Sequence, residues 1–203
     1  MHKVVLGGTL ASGKSTVAKI MKELGADVSN LDDIAVEVRN TPEVSAKLAE
    51  RFGSDILDSE GHPIPKLLAE RAFADAQSTA DLNSICHPGI GKRAREFILG
   101  EDLDSKSDSP AVRVLEVPLL DKAEDLVDLA DETVCVVAPV ETRIHRAQDR
   151  GMDIEDAKRR ISVQADESTI VSMADTVIVN DSTIDELRRK VGEWWNGISN
   201  SED

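Results

Sequence analysis

The sequence predicts an α/β fold built on a doubly wound parallel sheet, and three observations predict it. Short runs dominated by apolar residues, His2-Lys3-Val4-Val5-Leu6, Val112-Arg113-Val114-Leu115-Glu116-Val117 and Thr133-Val134-Cys135-Val136-Val137, read as buried strands, and Asp175-Thr176-Val177-Ile178-Val179-Asn180 reads as the last strand. The stretches between them carry helical periodicity. Directly after the first run stands Gly8-Thr9-Leu10-Ala11-Ser12-Gly13-Lys14-Ser15, which fits G-x-x-x-x-G-K-[ST] at every fixed position and leads into a helix from Ser15 to Leu24. Strand, glycine-rich loop and helix are the context in which this P-loop pattern has meaning.

The residue types in the loop suit phosphate. Glycines let backbone N–H groups turn inward around anionic oxygens, and the helix that starts near Gly13 aims its positive dipole end at them. Lys14 adds a full charge, and the Ser15 hydroxyl can ligate Mg²⁺. Gly8, Ala11, Ser12, Gly13, Lys14, Ser15 and Thr16 are therefore the candidate nucleotide-binding residues.

Composition narrows the class. A chain of 203 residues with 40% hydrophobic content can bury a real core and reads as one domain with an excursion or two. A formal net charge of −15 argues against nucleic acid or an anionic membrane surface as partner, because either would be repelled. No signal-like segment follows Met1 and no run of 18 apolar residues occurs, so a cytoplasmic location is expected. Cys86 and Cys135 lack metal-ligand spacing and read as reduced, structural thiols. Three Phe, two Trp and no Tyr make base stacking on an aromatic platform an unpromising mode of binding.

Along the chain, 25–30 forms a turn and a short strand, and Leu31-Asp32-Asp33-Ile34-Ala35 opens a second helix. Asp32 and Asp33 thus follow the carboxyl end of a strand, where open α/β sheets bind ligands; either can equally serve the helix N-terminus as a cap. Thr41 to Phe52 is helical with Gly53 as its stop, 58–65 is a polar turn, and Leu67 to Ala76 is helical again. A further helix over Ala80 to Cys86 is expected to end at His87-Pro88, with Ile90 to Leu99 following. The block 41–100 contains no convincing strand and reads as a helical insertion. His87 can be structural or belong to a site. Gly100 to Pro110 is an acidic, Ser-rich loop.

In the strand 112–117, Glu116 is a carboxylate within an apolar run and needs a partner; Mg²⁺ or a salt bridge would each serve. After the next strand comes a basic cluster, Arg143, Arg146, Arg150, Lys158, Arg159 and Arg160, whose first three members share one helical face. Forked guanidinium donors suit a transferring phosphoryl group, which makes 141–170 a candidate basic lid. The alternative is a solvated face paired with Asp149, Asp153, Glu155 and Asp156. A closing amphipathic helix runs from Ile184 to Trp195. The implied organisation is a core of about 1–40, 110–140 and 174–198, an acceptor-binding insertion of about 41–100 and a lid of about 141–170.

From Lys3 to about Val191 the chain resembles the dephospho-coenzyme A kinases, P-loop enzymes of the nucleoside-monophosphate-kinase type. The resemblance rests on Ser-Gly-Lys-Ser-Thr at Ser12–Thr16, Gly-Ala-x-Val at Gly25–Val28 and the Asp-Ala-Asp-x-Ile-Ala signature aligned with Asn30–Ala35. His-Pro-x-Ile at His87–Ile90, Val-Pro-Leu-Leu at Val117–Leu120, Arg-Ile-x-x-Gln at Arg160–Gln164 and Ala-Asp-x-Val-Ile-x-Asn at Ala174–Asn180 complete it. It implies an ATP- and Mg²⁺-dependent kinase acting on the ribose 3′-hydroxyl of dephospho-coenzyme A, a monomer without nucleic-acid or membrane partners. Asp32 inherits the role of catalytic base, Arg146 and Arg150 that of lid cations, and Asn180 a place near adenine. Ser15 and Glu116 become the metal side, and His87 falls on the acceptor side.

Three departures stand out: Pro65 where the family has an Arg, Lys122 where it has a Glu, and Ala11 in place of a loop glycine. Lys66, beside Pro65, is the candidate cation for the anionic acceptor. The departures keep two alternatives open, another small-molecule P-loop kinase and an ATP-binding regulatory protein without transfer activity.

Overall fold

A computed structural model describes residues 1–102, 110–164 and 166–199. Most of the loop expected over 100–110 lies outside the described residues. The chain divides into two compact units, Met1–Asn30 with Phe97–Asp203, and Leu31–Glu96.

The strands are β1 (His2–Gly8), β2 (Asp27–Asn30), β3 (Val112–Glu116), β4 (Glu132–Val137) and β5 (Thr176–Val179). The helices are α1 (Lys14–Glu23), α2 (Leu31–Arg39), α3 (Pro42–Phe52), α4 (Pro65–Ala72), α5 (Ala76–Leu99), α6 (Glu124–Val127), α7 (Val140–Asp149), α8 (Ile154–Ser162), α9 (Glu167–Ser172) and α10 (Ile184–Ser199). The strands pair in the order β2-β3-β1-β4-β5, every pairing parallel. The expected α/β class is correct. The chain goes from β1 to β2 on one side and from β3 to β4 on the other, so its direction reverses between β1 and β3. A crevice opens beyond the carboxyl ends of such a pair. Gly8 and Glu116 end those two strands.

One face of the sheet presents Val4, Leu6, Val112, Val114, Val134 and Val136 to Val17, Ile20 and Met21 of α1 and to Leu187 and Val191 of α10. All are buried, and each contributes about 1.5–3 kcal/mol by leaving water. Trp194 and Trp195 extend this core, and Glu132 ties the edge together by accepting hydrogen bonds from Trp194 Nε1 at 2.9 Å and Thr176 Oγ1 at 2.6 Å.

β3 also carries a charge that its apolar reading did not account for. Arg113 is 1% exposed, and the β2–β3 register sets it beside Asp27, to which its Nη2 donates at 2.8 Å. A second carboxylate, Asp102, accepts at 3.0 Å, and the guanidinium stacks on the Phe97 ring 4.2 Å from its centroid. Burial of a cation is tolerable only with such pairing.

In the Leu31–Glu96 unit, Leu48, Phe52, Ile56, Leu68, Ala72 and Cys86 form a separate core. No strand occurs there; the one β-bridge joins Leu57 and Pro63. Gly53, at φ +100°, ends α3 as expected, and Arg71 binds both the Phe52 carbonyl and Asp55. The expected helix end at His87-Pro88 is incorrect. α5 runs unbroken from Ala76 to Leu99 with Pro88 inside it, and His87 is exposed at mid-helix. Proline in a helix interior costs about 3 kcal/mol. Leu82, Ile85 and Cys86 before it and Ile90 after it all pack on the same core, which offsets that cost. Both cysteines are free and buried, as expected, and burial pushes the Cys135 thiol up to about 11.

Candidate active site

The loop between β1 and α1 is held from several directions. Gly13 caps α1 in a left-handed conformation, φ 102°, and a Cβ there would collide with Nδ2 of Asn180. That Nδ2 donates to the Ser12 carbonyl at 2.7 Å, and Arg146 Nη1 donates to the same carbonyl at 3.3 Å. Arg146 also reaches Asn180 Oδ1 at 3.2 Å, so this arginine of α7 and the Asn that follows β5 form one brace on the loop. Ala11 is the one non-glycine residue with positive φ among the described residues, at 58°. Gly13→Ala is expected to weaken ATP binding at least tenfold in a folded protein, since the new methyl group must displace Asn180; equilibrium titration with ATP checks it.

A second clamp fixes the two peptide units on either side of Leu10. The Leu10 N–H donates to Gln164 Oε1 at 3.0 Å, and the Leu10 carbonyl accepts from Arg143 Nε at 3.0 Å. Arg143 is 3% exposed and reaches Glu167 at 3.4 Å; burial pulls its guanidinium down, and Glu167 opposes that shift.

The basic cluster therefore splits. Arg143 is a buried support of the loop, Arg146 braces it, and Arg150 lines a cavity of ≈ 300 Å³ with Gly13, Thr16, Arg146 and Asn180. Lys158, Arg159 and Arg160 instead pair with Glu155 and Asp156 on an exposed face of α8, the solvated alternative.

On the β3 side, Glu116 is 7% exposed and accepts from Ser15 Oγ at 3.0 Å and from Asn30 Nδ2 at 3.3 Å. Both of these donors are neutral, and a buried carboxylate beside the Ser15 hydroxyl suits a cation. These residues fit a hard cation that keeps water and phosphate oxygens as its other ligands, which is how Mg²⁺ is usually bound. No cluster of three or more His, Cys, Asp or Glu that could hold a metal occurs among the described residues. The buried hydroxyls of Thr9 and Ser12 find no protein partner within the loop.

A family model described as dephospho-CoA kinase matches residues 2–186. The chain belongs to that family. Curated relatives named dephospho-CoA kinase include one from Corynebacterium jeikeium, 36% identical and covering 98% of this chain and 100% of its own length. Another, from Streptomyces avermitilis, is 39% identical with 96% and 93% covered. Among solved structures, a Thermus thermophilus protein superposes with a TM-score of 0.74 at 27% identity, over 97% and 98% of the two chains. The dephospho-CoA kinase from Campylobacter jejuni, at 0.69 and 23%, shares the fold over 96% of each chain.

Against this family frame, the P-loop residues Gly8 to Thr16, Glu116, Arg146, Arg150 and Asn180 are brought together in the first unit. Asp32, Lys66 and His87 lie in the other, where Asp32 and Asp33 are exposed in the first turn of α2 and Lys66 is exposed in the first turn of α4. Lys122, one of the family departures, is exposed and pairs with its neighbour Asp121 at 3.3 Å. The support roles of Arg143 and Gln164 were missed in the sequence. Arg143 was visible only as one more basic residue, and nothing in a lone Gln signals a bond to a loop peptide over 150 residues away.

Proposed function

We propose that this protein transfers the γ-phosphoryl group of ATP to the ribose 3′-hydroxyl of dephospho-coenzyme A, the last step in making coenzyme A. One observation carries the transfer chemistry: the loop Gly8–Ser15 has a buried carboxylate, Glu116, on its Ser15 hydroxyl at 3.0 Å and the guanidinium of Arg146 on its Ser12 carbonyl at 3.3 Å. Family membership supplies the acceptor.

In this reading the loop amides and Lys14 hold the β- and γ-phosphates, and the ≈ 300 Å³ cavity beside Asn180 receives the adenosine part of ATP. Ser15 and Glu116 hold Mg²⁺, which when bound neutralises charge on the phosphate oxygens. Asp32 orients the acceptor hydroxyl and accepts its proton. Arg146 and Arg150 stabilise negative charge on the migrating group, and water is kept from it by the same segment. His87 and Lys66 face the acceptor. The protein acts in the cytoplasm as a monomer.

Mass analysis of products after incubation of Mg-ATP with dephospho-coenzyme A, and separately with nucleosides and nucleotides, tests the assignment. 3′-Phosphorylated product supports it, a phosphorylated nucleoside or nucleotide replaces it with another kinase activity, and binding of ATP without any product leaves a regulatory protein. Lys66→Ala is expected to raise KM for dephospho-coenzyme A several-fold with KM for ATP nearly constant, as for lost uniform binding. Steady-state kinetics at two ionic strengths check this, because exposed attraction is screened over about 10 Å at 0.1 M salt.

A further inference from the structure

The first half of the phosphate-binding loop is held in a conformation that its residues do not favour. The Ser12 N–H donates to the Thr9 carbonyl at 3.1 Å, so Thr9 to Ser12 form a turn with Leu10 and Ala11 at its centre. Of these two central residues only Ala11 has a positive φ, 58°. A positive φ at the third residue alone marks the type II turn, where glycine normally stands at that place. Alanine meets a steric cost in this region that glycine does not. The competing type I turn keeps both central residues at negative φ and differs by rotation of the peptide between them. Here that rotation would relieve Ala11 and reverse the directions of the Leu10 carbonyl and the Ala11 N–H.

One side chain opposes the rotation directly. Arg143 Nε donates to the Leu10 carbonyl at 3.0 Å. Arg143 is buried, and its other two nitrogens are engaged with Glu167 at 3.4 Å and Gln164 at 3.5 Å, so its fork is fixed in place. Gln164 Oε1 also accepts from the Leu10 N–H at 3.0 Å, which holds the preceding peptide. The Leu10-Ala11 peptide is trans, so its N–H points away from the carbonyl that Arg143 holds. Among the described residues the Ala11 N–H donates to no protein group. An unspent amide N–H in such a loop is a donor for an anionic phosphate oxygen. After rotation a carbonyl oxygen would stand in its place and repel the anion.

We infer that Arg143 is a positioning residue: through the Leu10 carbonyl it locks the Leu10-Ala11 peptide in the orientation that presents the Ala11 N–H to the phosphates of ATP. The inference rests on the reading of Gly8–Ser15 as the ATP-binding loop and deepens it. It gives the departure at Ala11 a counterpart elsewhere in the chain. A glycine would adopt the left-handed conformation unaided, whereas with alanine the conformation is imposed from α7 by a buried guanidinium. Arg143 touches neither phosphate nor acceptor in this role; it acts through one backbone carbonyl.

Calorimetric titration of Mg-ATP into the full chain reads the effect without requiring turnover. Arg143→Met keeps an apolar stem and removes the donor, and it is expected to weaken ATP binding about tenfold, as for one lost hydrogen bond to an anion. In an Ala11→Gly background the same change is expected to cost less than about threefold, because glycine holds the turn without the bond. Arg143→Gln sets an amide N–H donor as many bonds from Cα as Nε, without the charge, and is expected to bind ATP within about twofold of the wild type. Thermal melts establish that each variant is folded; should Arg143→Met unfold, Arg143→Gln still separates the bond from the charge. Equal losses from Arg143→Met in both backgrounds, undiminished binding in folded Arg143→Met, or a loss of about tenfold in folded Arg143→Gln overturns the proposal. Product formation by the wild type is read separately. Bound ATP without product removes the transfer reading and leaves the positioning role, whereas a wild type that binds no ATP removes both.

Discussion

Replacing Asp32 by Asn lowers kcat by about 10²- to 10⁴-fold, the range for a lost general base, with little change in KM for ATP. Asp33→Asn, one residue on in the same first turn of α2, lowers turnover little and reduces stability by at most about 1 kcal/mol, as for a charge at a helix N-terminus. The contrast follows from position. α2 begins on the residue after β2, so the two acids follow directly on a strand end, and a helical step of about 100° separates their directions. Steady-state kinetics and thermal melts of both variants check it. Reversed effects would shift the catalytic role from Asp32 to its neighbour.

Lys14→Ala is expected to lower turnover by about 10²-fold or more, the effect of removing one preorganised donor from a developing charge. The helix it opens does not depend on its side chain, because α1 is anchored by Val17, Ile20 and Met21 in the core, so circular dichroism should be unchanged. Undiminished turnover in a folded Lys14→Ala protein would end the case for phosphate transfer on this loop.

The parallel sheet was legible because Val4, Val114 and Val134 sit in continuous apolar runs, and the P-loop because its fixed positions leave little freedom. Pro88 misled because local rules see a missing N–H and a steric clash but not the core residues flanking it on both sides. Arg113 passed unremarked within the apolar run of β3, because its partners are Asp27, 86 residues upstream and joined to it by strand register, and Asp102. The basic cluster was read as one body, whereas Arg143 is buried against Leu10 and Arg159 is paired on the surface; helical spacing puts residues on a face without saying what that face meets.

The central place of β1 has a consequence for the making of the protein. His2 pairs with Val112 and Val4 with Glu132, so β1 can find neither neighbour until over a hundred further residues exist. At about 5–20 residues per second, the apolar Val4-Val5-Leu6 segment waits on the order of ten seconds with both edges open. Contacts that distant in the chain also make refolding slow, because the intervening loop must be closed before they reward it. The Leu31–Glu96 unit, whose core contacts are all internal to a single stretch of sequence, is free of that delay. Nascent chains stalled before Val112 should therefore present a sticky, unpaired strand to chaperones, and those released after Val137 should not.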